Sequence, residues 1–126
     1  MAIKTNEQST NFPSFIVINS LGTTSQNDIL TGGSGSIYSI VIENESTSPS
    51  NEIYAHFYDN NNPTVGTTEP VMKIRNHNPT AAARDMHVSA RFGIAFSNAL
   101  SVAGSTNADG TGAPGASVHN LIILGD

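Results

Sequence analysis

The chain of 126 residues has no cysteine and no tryptophan, and only 12% of its residues are charged. Without cysteine there is neither a disulfide framework nor a thiolate metal site. Without tryptophan, stacking on a sugar would fall to Tyr38, Tyr54 and Tyr58. Basic residues are scarce and scattered, as Lys4, Lys73, Arg75, Arg84 and Arg91, within a net charge of −5. That balance argues against a nucleic-acid partner, which needs clustered cations along the phosphate backbone. No stretch approaches the ~20 apolar residues of a membrane span. The opening MAIKTNEQSTNFPS lacks the apolar core of a secretory signal.

What the chain does have is neutral polarity and short β-branched runs. Asn, Ser and Thr supply about a third of it, yet Ile and Val are plentiful, unlike in charge-rich disordered segments. The length suits one domain with one core. Residues 1–13 are polar and unpatterned up to Phe12 and Pro13 and read as an N-terminal arm; residues 14–126 read as the folded domain.

Period-two alternation marks the strands. Ser14–Asn19 (SFIVIN) places Phe15 and Val17 on one face and Ile16 and Ile18 on the other, which predicts a strand covered on both sides, either central in the sandwich or at an interface. A short strand is expected at Ile29–Leu30, then a hairpin turn through Gly32, Gly33 and Gly35. The glycines there do not suit a phosphate cradle, because a strand and not a helix follows them. Ile37–Glu43 alternates moderately, with Tyr38, Ile40 and Ile42 on one face. Ile53–Tyr58 alternates most clearly, with Ile53, Ala55 and Phe57 as core and Tyr54, His56 and Tyr58 as a wet or intersubunit face. Met72 and Ile74 point inward between Lys73 and Arg75.

NHNPTAAARD, Asn76–Asp85, holds the one candidate helix, of one or two turns at most, with Asn78 as cap and Pro79 at the first helical position. Met86, Val88, Ala90 and Phe92 are expected inward, and Gly93 marks a bulge or corner. Ile94, Phe96, Leu100 and Val102 continue as strand, residues 103–117 form a long loop, and Val118–Leu124 closes the chain inside a sheet. Seven or eight strands separated by turn clusters define an all-β, single-domain antiparallel β-sandwich, jelly-roll or Greek-key in type.

No catalytic constellation is legible. The histidines His56, His77, His87 and His119 form no HxH or HxxxH pair, and no G-x-S-x-G elbow is present. Asp59 with Asn60–Asn62, and Asn107 with Asp109, offer oxygen ligands for calcium without the EF-hand spacing, and turn formation explains the same residues. The expectation is a protein that is no enzyme and holds no metal or cofactor. Its candidate contacts with another subunit or a partner protein are Phe12, Phe15, Tyr54, His56, Tyr58 and His119.

The segment FYDNNNPTVGTTEPVMKI, followed by GIAFSNALSVAGSTNADGTG and the last apolar strand VHNLIIL, resembles small β-sandwich virion proteins of tailed phages. The matching positions are Phe57, Tyr58, Pro63, Thr64, Val65, Gly66, Thr67, Thr68, Pro70 and Val71, then Gly93, Phe96, Asn98 and Asp109. The match runs over roughly residues 53–124, and the N-terminal third matches less recognisably. The resemblance implies a capsid decoration (cement) protein on the capsid exterior, assembled in the host cytoplasm. It implies a homotrimer that contacts the major capsid protein and neither nucleic acid nor membrane. The alternative within the same fold is a tail-fibre, neck or receptor-binding module, whose tyrosines and long 103–117 loop would meet a host glycan.

Overall fold

A computed structural model describes residues 14–30, 33–46, 52–77 and 84–126. Seven strands are formed: β1 (Ser14–Ile18), β2 (Gly35–Asn44), β3 (Glu52–Asp59), β4 (Met72–His77), β5 (Arg84–Phe96), β6 (Leu100–Ser105) and β7 (His119–Gly125). They make a four-stranded sheet of order β1-β7-β2-β5 and a three-stranded sheet of order β4-β3-β6. Every pairing is antiparallel. The protein is therefore an all-β sandwich, as its alternation predicts.

The core lies between the sheets. Ile18, Ile37, Ile40, Ile42, Phe96, Leu121 and Ile123 face Ala55, Phe57, Leu100 and Val102 of the other sheet, with Leu21 and Leu30 added from the β1–β2 connection. Burying each large aliphatic or aromatic side chain is worth about 1.5–3 kcal/mol, so this layer carries the fold. Two buried amides clasp one end of it. Asn44 Nδ2 donates to the Asn76 carbonyl at 3.3 Å, and Asn76 Nδ2 donates to the Ile42 carbonyl at 2.9 Å, joining β2 to β4.

Several local expectations change in the assembled sheets. Among the described residues β1 is an edge strand paired only with β7, with Phe15 and Val17 76% and 60% exposed, so it is not a central strand. The β1–β2 connection is not a hairpin, because β7 lies between those strands. Ile29 and Leu30 form no strand. Residues 22–29 instead run along the outer edge of β6, where Gln26 and Val102 exchange two backbone hydrogen bonds and Ile29 N–H reaches the Leu100 carbonyl. A register shift between Ile37 and Ser39 turns Tyr38 outward, and Ile37 takes the core position.

The largest departure is in β5. Residues 89–94 of that strand face only residues 37–39 of β2, so the surplus residues bow away from the sheet. Gly93 takes a positive φ of 81° there, and Phe92, expected in the core, is 89% exposed with the Arg91 guanidinium 5.3 Å from its ring centroid. β6 extends to Ser105, and so the long loop begins after it rather than at residue 103. The expected helix falls mainly on residues 78–83, outside the described residues; Arg84 and Asp85 belong to β5.

Candidate functional site

The outward face of the four-stranded sheet forms two cross-strand rows. One runs Phe15, Leu124, Ser39, Ser89; the other runs Val17, Ile122, Val41, His87. The alternation of β1 and β7 places these side chains outside, since their neighbours Ile16, Ile18, Leu121 and Ile123 are committed to the core side. The result is an apolar patch of Phe15, Val17, Val41, Ile122 and Leu124 at the β1 side, which grades into polar residues toward β5.

The sheet edges differ in protection. The β6 edge is lined by residues 22–29. β4 carries the exposed cations Lys73 and Arg75, and β5 carries its bulge and the exposed Asp85 and Arg91. β1, with the sequence SFIVI, has no charge, proline or bulge, the usual devices that keep an edge from pairing with another chain. Among the described residues the apolar patch and the unprotected edge thus coincide.

The outward face of the three-stranded sheet is different. Tyr54, His56 and Tyr58 share it as expected, but it is neither wet nor open at two of the three: His56 and Tyr58 are 2% and 1% exposed. Two loops fold over them, residues 60–71 after β3 and residues 106–118 after β6. The loops meet where a Cβ on Gly110 would lie 3.0 Å from the Gly66 nitrogen. Lys73 Nζ ties the second loop down through the Ala108 carbonyl at 2.5 Å.

Beneath the loops, the His56 and Tyr58 rings stack with centroids 6.4 Å apart. The Ser105 hydroxyl donates to the Asn107 carbonyl at 2.6 Å, so it accepts from His56 Nε2–H at 2.7 Å. That fixes the tautomer and leaves Nδ1 as an acceptor. Burial, and then Lys73, lower the His56 pKa and keep the ring neutral. Tyr54 remains half-buried and donates to Glu52 Oε2 at 2.7 Å, while Glu52 also pairs with Arg75.

Of the other candidate contacts, Phe12 lies outside the described residues, and Phe15 is on the open patch. His119 is not a surface residue. It points between the sheets from the start of β7, is fully buried, and neither ring nitrogen has a hydrogen-bond partner among the described residues. Burial is the main reason its pKa falls to about 3, with His56 adding repulsion. Val41, Ile122 and Leu124 were not among the expected contact residues. Their signal was the apolar character of both faces of VHNLIIL.

The oxygen-rich turns are occupied by their own backbone. Asp59 Oδ2 accepts from Ser97 N–H at 3.0 Å, and Oδ1 accepts from Asn98 and Ala99 N–H at 2.7 and 3.1 Å. These bonds hold the turn between β5 and β6 and pull the Asp59 pKa down. Asp109 Oδ1 similarly accepts from the Thr111 amide and hydroxyl. Among the described residues no group of three or more His, Cys, Asp or Glu is placed to hold a metal ion, and no helix is long and apolar enough to cross a membrane. Asp59→Ala is expected to destabilise the fold by about 2 kcal/mol, because three donors lose a charged acceptor. Asp59→Asn, which keeps one acceptor oxygen, should cost less. Urea unfolding of the two variants checks the order.

The fold and its surfaces define an all-β sandwich with an open apolar sheet face. Comparison with known families, with curated proteins and with solved structures gives no match to this chain.

Proposed function

We propose that this chain is a structural protein of a tailed-phage particle, a decoration protein that binds the outside of the assembled capsid as a homotrimer. The observation that carries the interaction is the apolar patch of Phe15, Val17, Val41, Ile122 and Leu124 beside the unprotected β1 edge. Its proposed occupant is a second copy of the chain. The patch has no charged residue at its centre, so a head-to-tail neighbour in a three-fold ring can cover it without desolvating an ion. A closed ring of copies would bury each patch once. Capsid stabilisation then follows from mass action, since a partner that binds only the assembled shell lowers its free energy. The capsid as target rests on the resemblance of residues 53–124, and the major capsid protein is the implied partner. A tail or receptor-binding role is the second reading. It is favoured by one observation, the meeting of the 60–71 and 106–118 loops over Tyr58.

Copy number in purified virions separates these readings. Hundreds of copies per particle indicate decoration, a few to dozens indicate a tail position, and absence from particles rejects both. For the interface, Phe15→Asp or Ile122→Asp should weaken self-association about tenfold to hundredfold, the equivalent of losing one buried large apolar side chain. Sedimentation equilibrium reads this, with an unchanged circular dichroism spectrum as the control for folding. A wild-type chain that is monomeric at micromolar concentration rejects the trimer.

A further inference from the structure

We propose that the pocket between the 60–71 and 106–118 loops, floored by Tyr58 and His56, binds a single neutral sugar residue. This deepens the second, receptor-binding reading, whose ligand class it shares, and does not depend on the decoration reading. The pocket encloses about 200 Å³. That is less than the few hundred Å³ of pockets for drug-sized ligands, and it suits one monosaccharide unit.

Its floor holds unspent hydrogen-bonding capacity. Tyr58 is 1% exposed and lines the pocket, yet its hydroxyl makes no hydrogen bond among the described residues. The hydroxyl keeps contact with solvent at the pocket, so it is free to donate to a ligand there. Beside it, His56 spends Nε2–H on Ser105 and keeps Nδ1 as a bare acceptor. Burial keeps Tyr58 protonated, so the floor combines a donor with an acceptor.

The walls select for charge. Lys73, Glu69, Asp109 and Thr67 all line the pocket. An anionic ligand would meet two carboxylates, and a cationic one would meet the ammonium. A neutral polyol can donate to the carboxylates and to His56 Nδ1 and accept from Tyr58 and Lys73, leaving no ion unpaired. The occupant is held in a pocket made by two loops and not on a flat ring face. The absence of tryptophan is therefore no obstacle to it.

The test is titration of the isotopically labelled protein with methyl glycosides of glucose, galactose, mannose and N-acetylglucosamine, followed by NMR. At least one should saturate with a millimolar or tighter Kd, shifting the His56 ring and Tyr58 resonances. Tyr58→Phe keeps the ring and removes the hydroxyl. It should weaken that glycoside at least tenfold while thermal stability stays equal or rises. Thr67→Val, on the loop wall, should weaken binding without altering the core resonances. If no glycoside shifts these resonances, or if Tyr58→Phe binds as the parent does, the pocket holds water only and the proposal is overturned. Loss of the protein from virions would reject the decoration reading and leave this result intact.

Discussion

Gly104→Ala should destabilise the protein by about 3 kcal/mol or more, the upper range for overpacking a close-fitted core. A Cβ at Gly104 would lie 2.4 Å from Nδ1 and 2.9 Å from Cε1 of His119, and 2.9 Å from the Leu21 carbonyl oxygen. None of these can step aside cheaply. The His119 ring is fully enclosed between the sheets, and the Leu21 segment is fixed where its N–H meets the His119 carbonyl at 2.6 Å. Gly104 N–H is itself bonded to the Gly22 carbonyl at 2.8 Å, so β6 cannot retreat either. The double variant Gly104→Ala with His119→Ala relieves the ring contact but not the carbonyl contact. The cost of the glycine change should thus be at least ~1 kcal/mol smaller in the His119→Ala background, as a double-mutant cycle measures. An equal cost in both backgrounds would show that the ring is not what excludes a side chain at position 104.

The second large effect is acid lability centred on His119. Its folded pKa is about 3, against the ordinary value of 6.5. Between these values the unfolded chain binds a proton that the folded chain refuses, so stability is complete above pH 6.5 and falls as the pH drops towards 3. At ~1.4 kcal/mol per pH unit the full window amounts to about 5 kcal/mol, and a descent to pH 4.5 to roughly half of it. His56, also lowered, acts with the same sign. Asp59 and Asp109, lowered from 3.8, add their losses only at the acid end of the range. His119→Leu removes the titration together with two unpaired buried nitrogens. It should match or exceed the parent at pH 7, and it should lose much less stability between pH 7 and 4.5. Urea unfolding across that interval decides it, and an unchanged slope in the variant would place the proton elsewhere.

Much of the sandwich was legible residue by residue. Ile53, Ala55 and Phe57 were assignable to the core because a strict alternation leaves one face for it. The same logic assigned Met72 and Ile74 against Lys73 and Arg75. Asp59 with its three asparagines was readable as a turn, although the partner of its carboxylate was not, since Ser97–Ala99 lies a long way along the chain. Two outward-facing pairs show the limit. Phe15 and Val17 looked covered, and His56 and Tyr58 looked open, and each pair turned out the other way. Alternation states which residues share a face and says nothing of what lies against it. The bow of β5 was signalled by Gly93 alone, and its direction, which carries Phe92 into solvent, depends on the short partner segment of β2.

Local chemistry thus set the elements of this protein: short β-branched runs, the turn formers between them, the lack of cysteine, and the scarcity of basic charge. Strand order was decided only when the sheets assembled. β7, the last strand in the chain, inserted between β1 and β2, and this left β1 at an edge with its apolar face uncovered by any other described residue. Two loops remote in sequence closed over His56 and Tyr58, and packing of the sheets drove His119 onto Gly104. The physical reason is common to all three. Burial is a property of what two distant segments exclude from water together, and no periodicity within one segment encodes its cover.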